Sequence, residues 1–162
     1  MKKLLLVALL ATVPSFAFAK NFAIPEKNPV ATLVLPDDWD ADTIDTGVEV
    51  TSKDGEVYIA FETVKAAKIE NAVKEAIQYL VEKGVNLDAS SMKQKDATIN
   101  GMQGAEIDWT GKDKDGDAQI SLTILQASPD RLVMLTYWAS PEGEKANLEA
   151  LNKIGASIKP LN

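Results

Sequence analysis

Carboxylates are the main chemistry-bearing side chains of this sequence, and they fall into three groups. "GKDKDGDAQ", Gly111 to Gln119, sets Asp113, Asp115 and Asp117 at alternate positions around Gly116. "DDWDADTID" gathers Asp37, Asp38, Asp40, Asp42 and Asp45 within nine residues. Glu106 and Asp108 alternate in "AEIDW", so on an extended chain they project from one face. Such groups suit two kinds of chemistry. They can ligate calcium, a hard cation that takes six to eight oxygens, or a flanking pair can act as acid and base in glycoside hydrolysis.

The rest of the composition narrows this. The chain has no histidine and no cysteine. That removes Ser-His-Asp and Cys-His catalysis, zinc sites built from His or Cys, disulfides, haem attachment and iron–sulfur clusters. Carboxylates, Lys, Arg and Tyr remain for catalysis, and no cofactor is implied.

The first group fails as an EF-hand loop, which needs glycine sixth and a bidentate glutamate twelfth. Counting from Asp113, those places hold Ala118 and Ile124. Asp115-Gly116 between two alternating runs reads instead as a hairpin turn. The second group is the better cation candidate, with Asp37, Asp38, Asp40, Asp42 and Asp45 as metal ligands. Its alternative is a solvated acidic loop anchored by an inward Trp39. The Glu106/Asp108 pair has no cleft motif beside it and reads as a solvent-facing edge. Trp109 and Trp138 lie on apolar strand faces, which favours core roles over sugar stacking.

Several elements must position these residues. "VATLVLP", Val30 to Pro36, is a short strand. "GVEVTSKDGEVYIAFETV" is a hairpin turning at Lys53-Asp54-Gly55, with Val48, Val50, Val57, Ile59 and Phe61 alternating. In "KIENAVKEAIQYLVEKG", Ile69, Ala72, Val73, Ala76, Ile77, Leu80 and Val81 recur at helical spacing, and Gly84 is a natural C-terminal cap. A second hairpin turns at Asn100-Gly101. Then come "AQISLTIL", a turn at Ser128-Pro129-Asp130, and "RLVMLTYWA", which is apolar on both faces and so belongs inside a sheet. Ser140 caps a final helix with Pro141 first, and Leu148, Leu151, Ile154 and Ile158 form its inner face. Strands, helix, strands and helix in this order predict an α+β chain, a three-layer α/β/α sandwich with a largely antiparallel sheet.

The N-terminus reads as an export signal. Lys2 and Lys3 precede an apolar run from Leu4 to Val13, and Ala17-Phe18-Ala19 offers small residues for cleavage between Ala19 and Lys20. The run is too short to span a bilayer. We therefore expect a cleaved leader over residues 1–19, a flexible segment over 20–29 and one domain over 30–162, periplasmic or secreted and without a stable membrane anchor. The leader carries two of the 17 basic residues and none of the 24 acids, so cleavage takes the formal charge from −7 to −9. Such a surface repels nucleic acid and anionic headgroups and favours basic partners or divalent cations.

Several phrases resemble the PsbP/Mog-like fold superfamily: "LPDDWD" after the first strand, the pair around "SKDGEV", "INGMQGAEIDWTG", and the run from "LVMLTYWASPE" to "IGASIKP". That superfamily includes extrinsic proteins of photosystem II, Ran-binding Mog proteins and periplasmic DcrB-like proteins. The resemblance covers about 130 residues, none of its motifs is catalytic, and no site residue is carried over from it. It implies a non-enzymatic accessory or binding protein with an envelope protein partner. Calcium or small-ligand binding at the 37–45 loop is the alternative.

Overall fold

The structure, a computed structural model, describes residues 19–161. The apolar run on which the leader reading rests lies outside these residues. The first strands are β1 (Ala19–Ile24), β2 (Ala31–Pro36), β3 (Asp40–Ile44), β4 (Gly47–Thr51) and β5 (Val57–Lys65), and helix α1 (Ile69–Glu82) follows. The short β6 (Asn86–Leu87) leads to β7 (Lys93–Ile99), β8 (Met102–Lys112), β9 (Asp117–Gln126) and β10 (Arg131–Ala139). Helices α2 (Pro141–Ala146) and α3 (Leu148–Ser157) and the short β11 (Lys159–Pro160) complete it.

Alternation and turn chemistry build the large sheet. Its eight strands run β3-β4-β5-β10-β9-β8-β6, with β7 also paired to β8. Every strand pair among the described residues is antiparallel. Asn100 (φ 49°) and Gly101 (φ 88°) turn the β7–β8 hairpin in the left-handed region, where Asn and Gly are the residues best tolerated. The doubly apolar β10 does lie inside, between β5 and β9, with Val133 and Met134 buried on opposite faces.

Two cores flank this sheet. On one face α1 packs Ala76 and Leu80 against Trp109, Ile120, Leu122 and Met134. On the other, Val48, Val50, Ile59, Phe61, Leu125 and Val133 meet α3 (Ile154) and β2 (Leu33, Leu35). β2 is the centre of a small sheet ordered β1-β2-β11. The fold is thus α+β in three layers, with α2, α3 and the small sheet sharing the third.

Several expectations are corrected. Residues 20–24 of the expected flexible segment belong to β1, which pairs along its whole length with β2 because Ile24 is fully buried there. Val81 is 54% exposed, since Leu80 and Ala76 already define the side of α1 that meets the sheet. The final helix breaks at Asn147, whose side-chain amide donates to the Gly143 carbonyl at 2.9 Å and to Asp54 at 2.9 Å. This side-chain competition for a helix carbonyl favours the break, and it leaves Leu148 exposed. Ser140 does cap α2, accepting from the Gly143 amide at 2.9 Å.

The register of α1 is open to a paired test. Leu80→Ala is expected to lower unfolding stability by about 2–5 kcal/mol. Val81→Ala, one residue on, should stay within about 0.5 kcal/mol of the parent. Urea denaturation that gives the two variants equal costs would refute this orientation of the helix.

Candidate functional site

Helix α1 covers the β8, β9 and β10 side of its face and leaves a groove over β4 and β5. A cavity of about 610 Å³ lies there, lined by Glu49, Tyr58, Glu62, Lys68, Tyr79 and Thr136 among others. An adjoining cavity of about 330 Å³ shares Glu49, Tyr58 and Tyr79 and extends to Trp138, Asp113 and Lys83. Both are of the size and mixed apolar–polar character that small ligands use.

Strand parity explains who faces the groove. Val57, Ile59 and Phe61 point to the far core, so Tyr58, Ala60 and Glu62 must point to the α1 side. Tyr58 lies 5.8 Å from Tyr79 of α1, centroid to centroid, and 6.3 Å from Trp138, at tilts of 31° and 53°. The three half-buried rings form a continuous aromatic wall. Burial pushes the Tyr58 phenol far above its ordinary pKa, with help from the neighbouring Tyr79 hydroxyl and the Glu49 charge. It is therefore neutral at physiological pH. In the floor, Thr136 is 2% exposed and its hydroxyl has no hydrogen-bond partner, an arrangement that is costly for a buried polar group.

Of the three carboxylate groups, the one around Asp113 lines this groove. The Asp113 turn forms as expected: one carboxylate oxygen accepts from the Asp115 and Gly116 amides at 2.8 and 3.1 Å. Its other oxygen accepts from the Trp138 indole N–H at 2.9 Å. Trp138 packs against the α1-side core, as the core reading expects, and also walls the groove, aimed by a turn aspartate. The "DDWDADTID" stretch is not a closed loop. Asp37 and Asp38 stand exposed in a turn, Asp40 and Asp42 lie on edge strand β3, and Asp45 begins the β3–β4 turn. Among the described residues no three carboxylates converge as a metal cluster. Trp39 is buried at 6% exposure, as the anchor reading expects. Asp40 and Asp42 pair directly with Thr51 and Glu49, so they continue the groove's acidic side onto the edge.

Glu106 and Asp108 share the opposite face of the sheet. Lys95 bridges both, at 3.4 and 3.0 Å, so they are not the open solvent edge read from sequence but a half-buried ionic cluster. Burial, then the Asp108 charge, pushes the Glu106 carboxyl above its ordinary value of 4.5, while Lys95 pulls the other way. Tyr137, which with Lys95, Glu106 and Asp108 lines a cavity of about 330 Å³ on this face, has a buried hydroxyl without a partner.

Sequence reasoning missed Tyr58, Tyr79, Thr136 and Glu49 as a group. The available signal was an aromatic, Tyr58, on the polar side of an otherwise alternating strand.

Two variants test these arrangements. With its pKa raised in the fold, Glu106 contributes stability that is fully present below 4.5 and is lost as pH rises through the folded-state value. Glu106→Gln should therefore gain on the parent as pH rises above 4.5, read from melting temperature against pH; parallel curves would contradict the raised value. Asp113→Ala should cost about 1–3 kcal/mol by orphaning a half-buried indole N–H and shift tryptophan emission to the red. Unchanged emission would refute the contact.

No protein-family model matches this sequence, and the curated proteins searched contain no match. Solved structures do match. LpqN of Mycobacterium tuberculosis, described as involved in cell envelope biogenesis, aligns with TM-score 0.57 at 12% identity, over 89% of this chain and 92% of its own. A protein of Bacteroides thetaiotaomicron VPI-5482 aligns with TM-score 0.58 at 12% identity, over 88% of this chain and 48% of its own. The cyanobacterial PsbP (CyanoP) of Synechocystis sp. PCC 6803 aligns with TM-score 0.59 at 6% identity, over 94% and 99%. Identities this low speak to the fold alone. The chain has a PsbP-like fold.

Proposed function

We propose that this protein is an exported, non-enzymatic binding protein that serves the cell envelope, and that it binds through the groove between α1 and β5. The groove itself carries the reading: about 610 Å³ with an aromatic wall, a buried unpartnered hydroxyl in its floor and acidic and basic groups at its rim. A fold shared with an envelope-biogenesis protein agrees with it, as do the leader-like N-terminus and the acidic composition. The chemistry is that of recognition. Glu106 and Asp108, the pair that alternates on one strand face, lie on the other face of the sheet and share the Lys95 ammonium.

The test is photo-crosslinking in cells. A photoreactive residue at the exposed rim position Asn71 is expected to capture an envelope protein or a small molecule from the extracytoplasmic fraction, and the capture should fade when Tyr79→Leu is added. A control site at Lys153, on exposed α3, should capture nothing specific. Retention of the chain in the cytoplasm with its leader uncleaved, or equal labelling at both sites, would overturn the proposal.

A further inference from the structure

The groove's charge pattern identifies a class of ligand. Glu49 is half-buried, lines both cavities beside Tyr58 and Tyr79, and has no ion-pair partner among the described residues. Directly across the β3–β4 pair stands Asp42, on the same face of the sheet. Opposed residues of an antiparallel pair have their Cβ atoms about 5 Å apart, and like charges there are destabilising. Two carboxylates held side by side, without a cation of the protein's own between them, favour any positive charge that enters.

The aromatic wall says what kind of positive charge. The Tyr58 ring lies 5.8 Å from that of Tyr79 and 6.3 Å from that of Trp138, and aromatic faces attract ammonium and guanidinium groups. A small inorganic cation gains little from them, whereas an organic ammonium gains both from the rings and from the carboxylate. The protein already makes this contact once: the Lys83 ammonium lies 5.2 Å from the Tyr79 ring centroid. Lys83 is exposed and lines the smaller cavity, so it acts as a tethered, displaceable occupant of the wall. The carboxylates nearby are otherwise engaged. Asp113 accepts from Trp138, Glu56 from Ser140 and Asp115 from Lys114. The larger cavity also carries Lys65 and Lys68, whose charges are offset by Glu62 and Glu75 in the same lining.

We propose that the Tyr58–Tyr79–Trp138 wall with Glu49 is a binding site for an organic ammonium group, whose place Lys83 partly fills in the free protein. This rests on the reading of the groove as the protein's binding site. Benzyltrimethylammonium and its uncharged carbon isostere are the probes, measured by calorimetry and by tryptophan fluorescence on the whole purified protein.

The cation should bind at least tenfold more tightly than the isostere. Tyr79→Leu should lose at least tenfold, and Glu49→Gln several-fold together with much of the salt dependence. Lys83→Met, at an exposed position, should tighten binding by removing the competitor. This variant keeps the test decisive if Tyr79→Leu unfolds.

Three results overturn the inference. Equal binding of the isostere would mean an apolar groove, and would leave the binding-protein reading standing. Cation binding indifferent to Glu49→Gln and Lys83→Met would mean general attraction to an acidic surface. Absence of any binding at millimolar probe would remove the site. Failure of the underlying reading shows separately, as equal crosslinking at Asn71 and Lys153.

Discussion

The groove follows from a mismatch of widths. Strands in a sheet lie roughly 4.8 Å apart, while a helix with its side chains is about 10–12 Å across. A single fourteen-residue helix on one face of the eight-stranded sheet therefore has to choose a side. Leu80 and Ala76 commit α1 to the large apolar residues of β8, β9 and β10. On the remaining side the strands present amphipathic and polar residues, which tolerate partial hydration. Tyr58, Glu49, Glu62 and Thr46 line that side, where large apolar residues would be left uncovered.

The opposite face solves the same problem differently. One helix would again be too narrow, and there a small sheet, β1-β2-β11, lies beside α3. Leu33, Leu35 and Ile24 extend the apolar layer across β4 and β5 into a continuous core. The two faces thus differ over β4 and β5, where one is covered by apolar side chains and the other is open as the groove. Turn polar groups brace the covered face. Asp54 accepts from Ser52 at 2.5 Å and from Asn147 at 2.9 Å, tying the β4–β5 turn to the α2–α3 junction. Those hydrogen bonds, Ser52's first, hold the Asp54 carboxyl below its ordinary value.

Much of this was legible in the sequence, and the limits of what was legible are physical. The two long hairpins, helix α1 and the inner position of β10 each depend on local periodicity or on a turn dipeptide, and those signals are strong. β1 was not legible because its inward residues are only Phe22 and Ile24, too short an alternation beside Pro25 and Pro29 to register. The break at Asn147 depends on a hydrogen bond to Asp54, 93 residues away, and no local signal reports it. Of the site, the acidic residues were visible but their company was not. Asp40 and Asp42 read as a loop cluster, whereas pairing with β4 spreads them along an edge. Tyr58, Tyr79 and Trp138 come from three elements and meet only in the tertiary structure.

The place of β10 at the centre of the sheet also has a kinetic side. Phe61 of β5 pairs with Leu135 of β10, across more than 70 residues of chain. Until β10 is made, β5 has a partner on one edge only, and the two halves of the large sheet have no shared strand. Pairings so distant in sequence form slowly, since loop closure must precede the contacts that reward it. The nascent chain thus stays open until its last third is available. Throughout that interval the unpaired edge of β5 stays open to chaperones and to association with other chains.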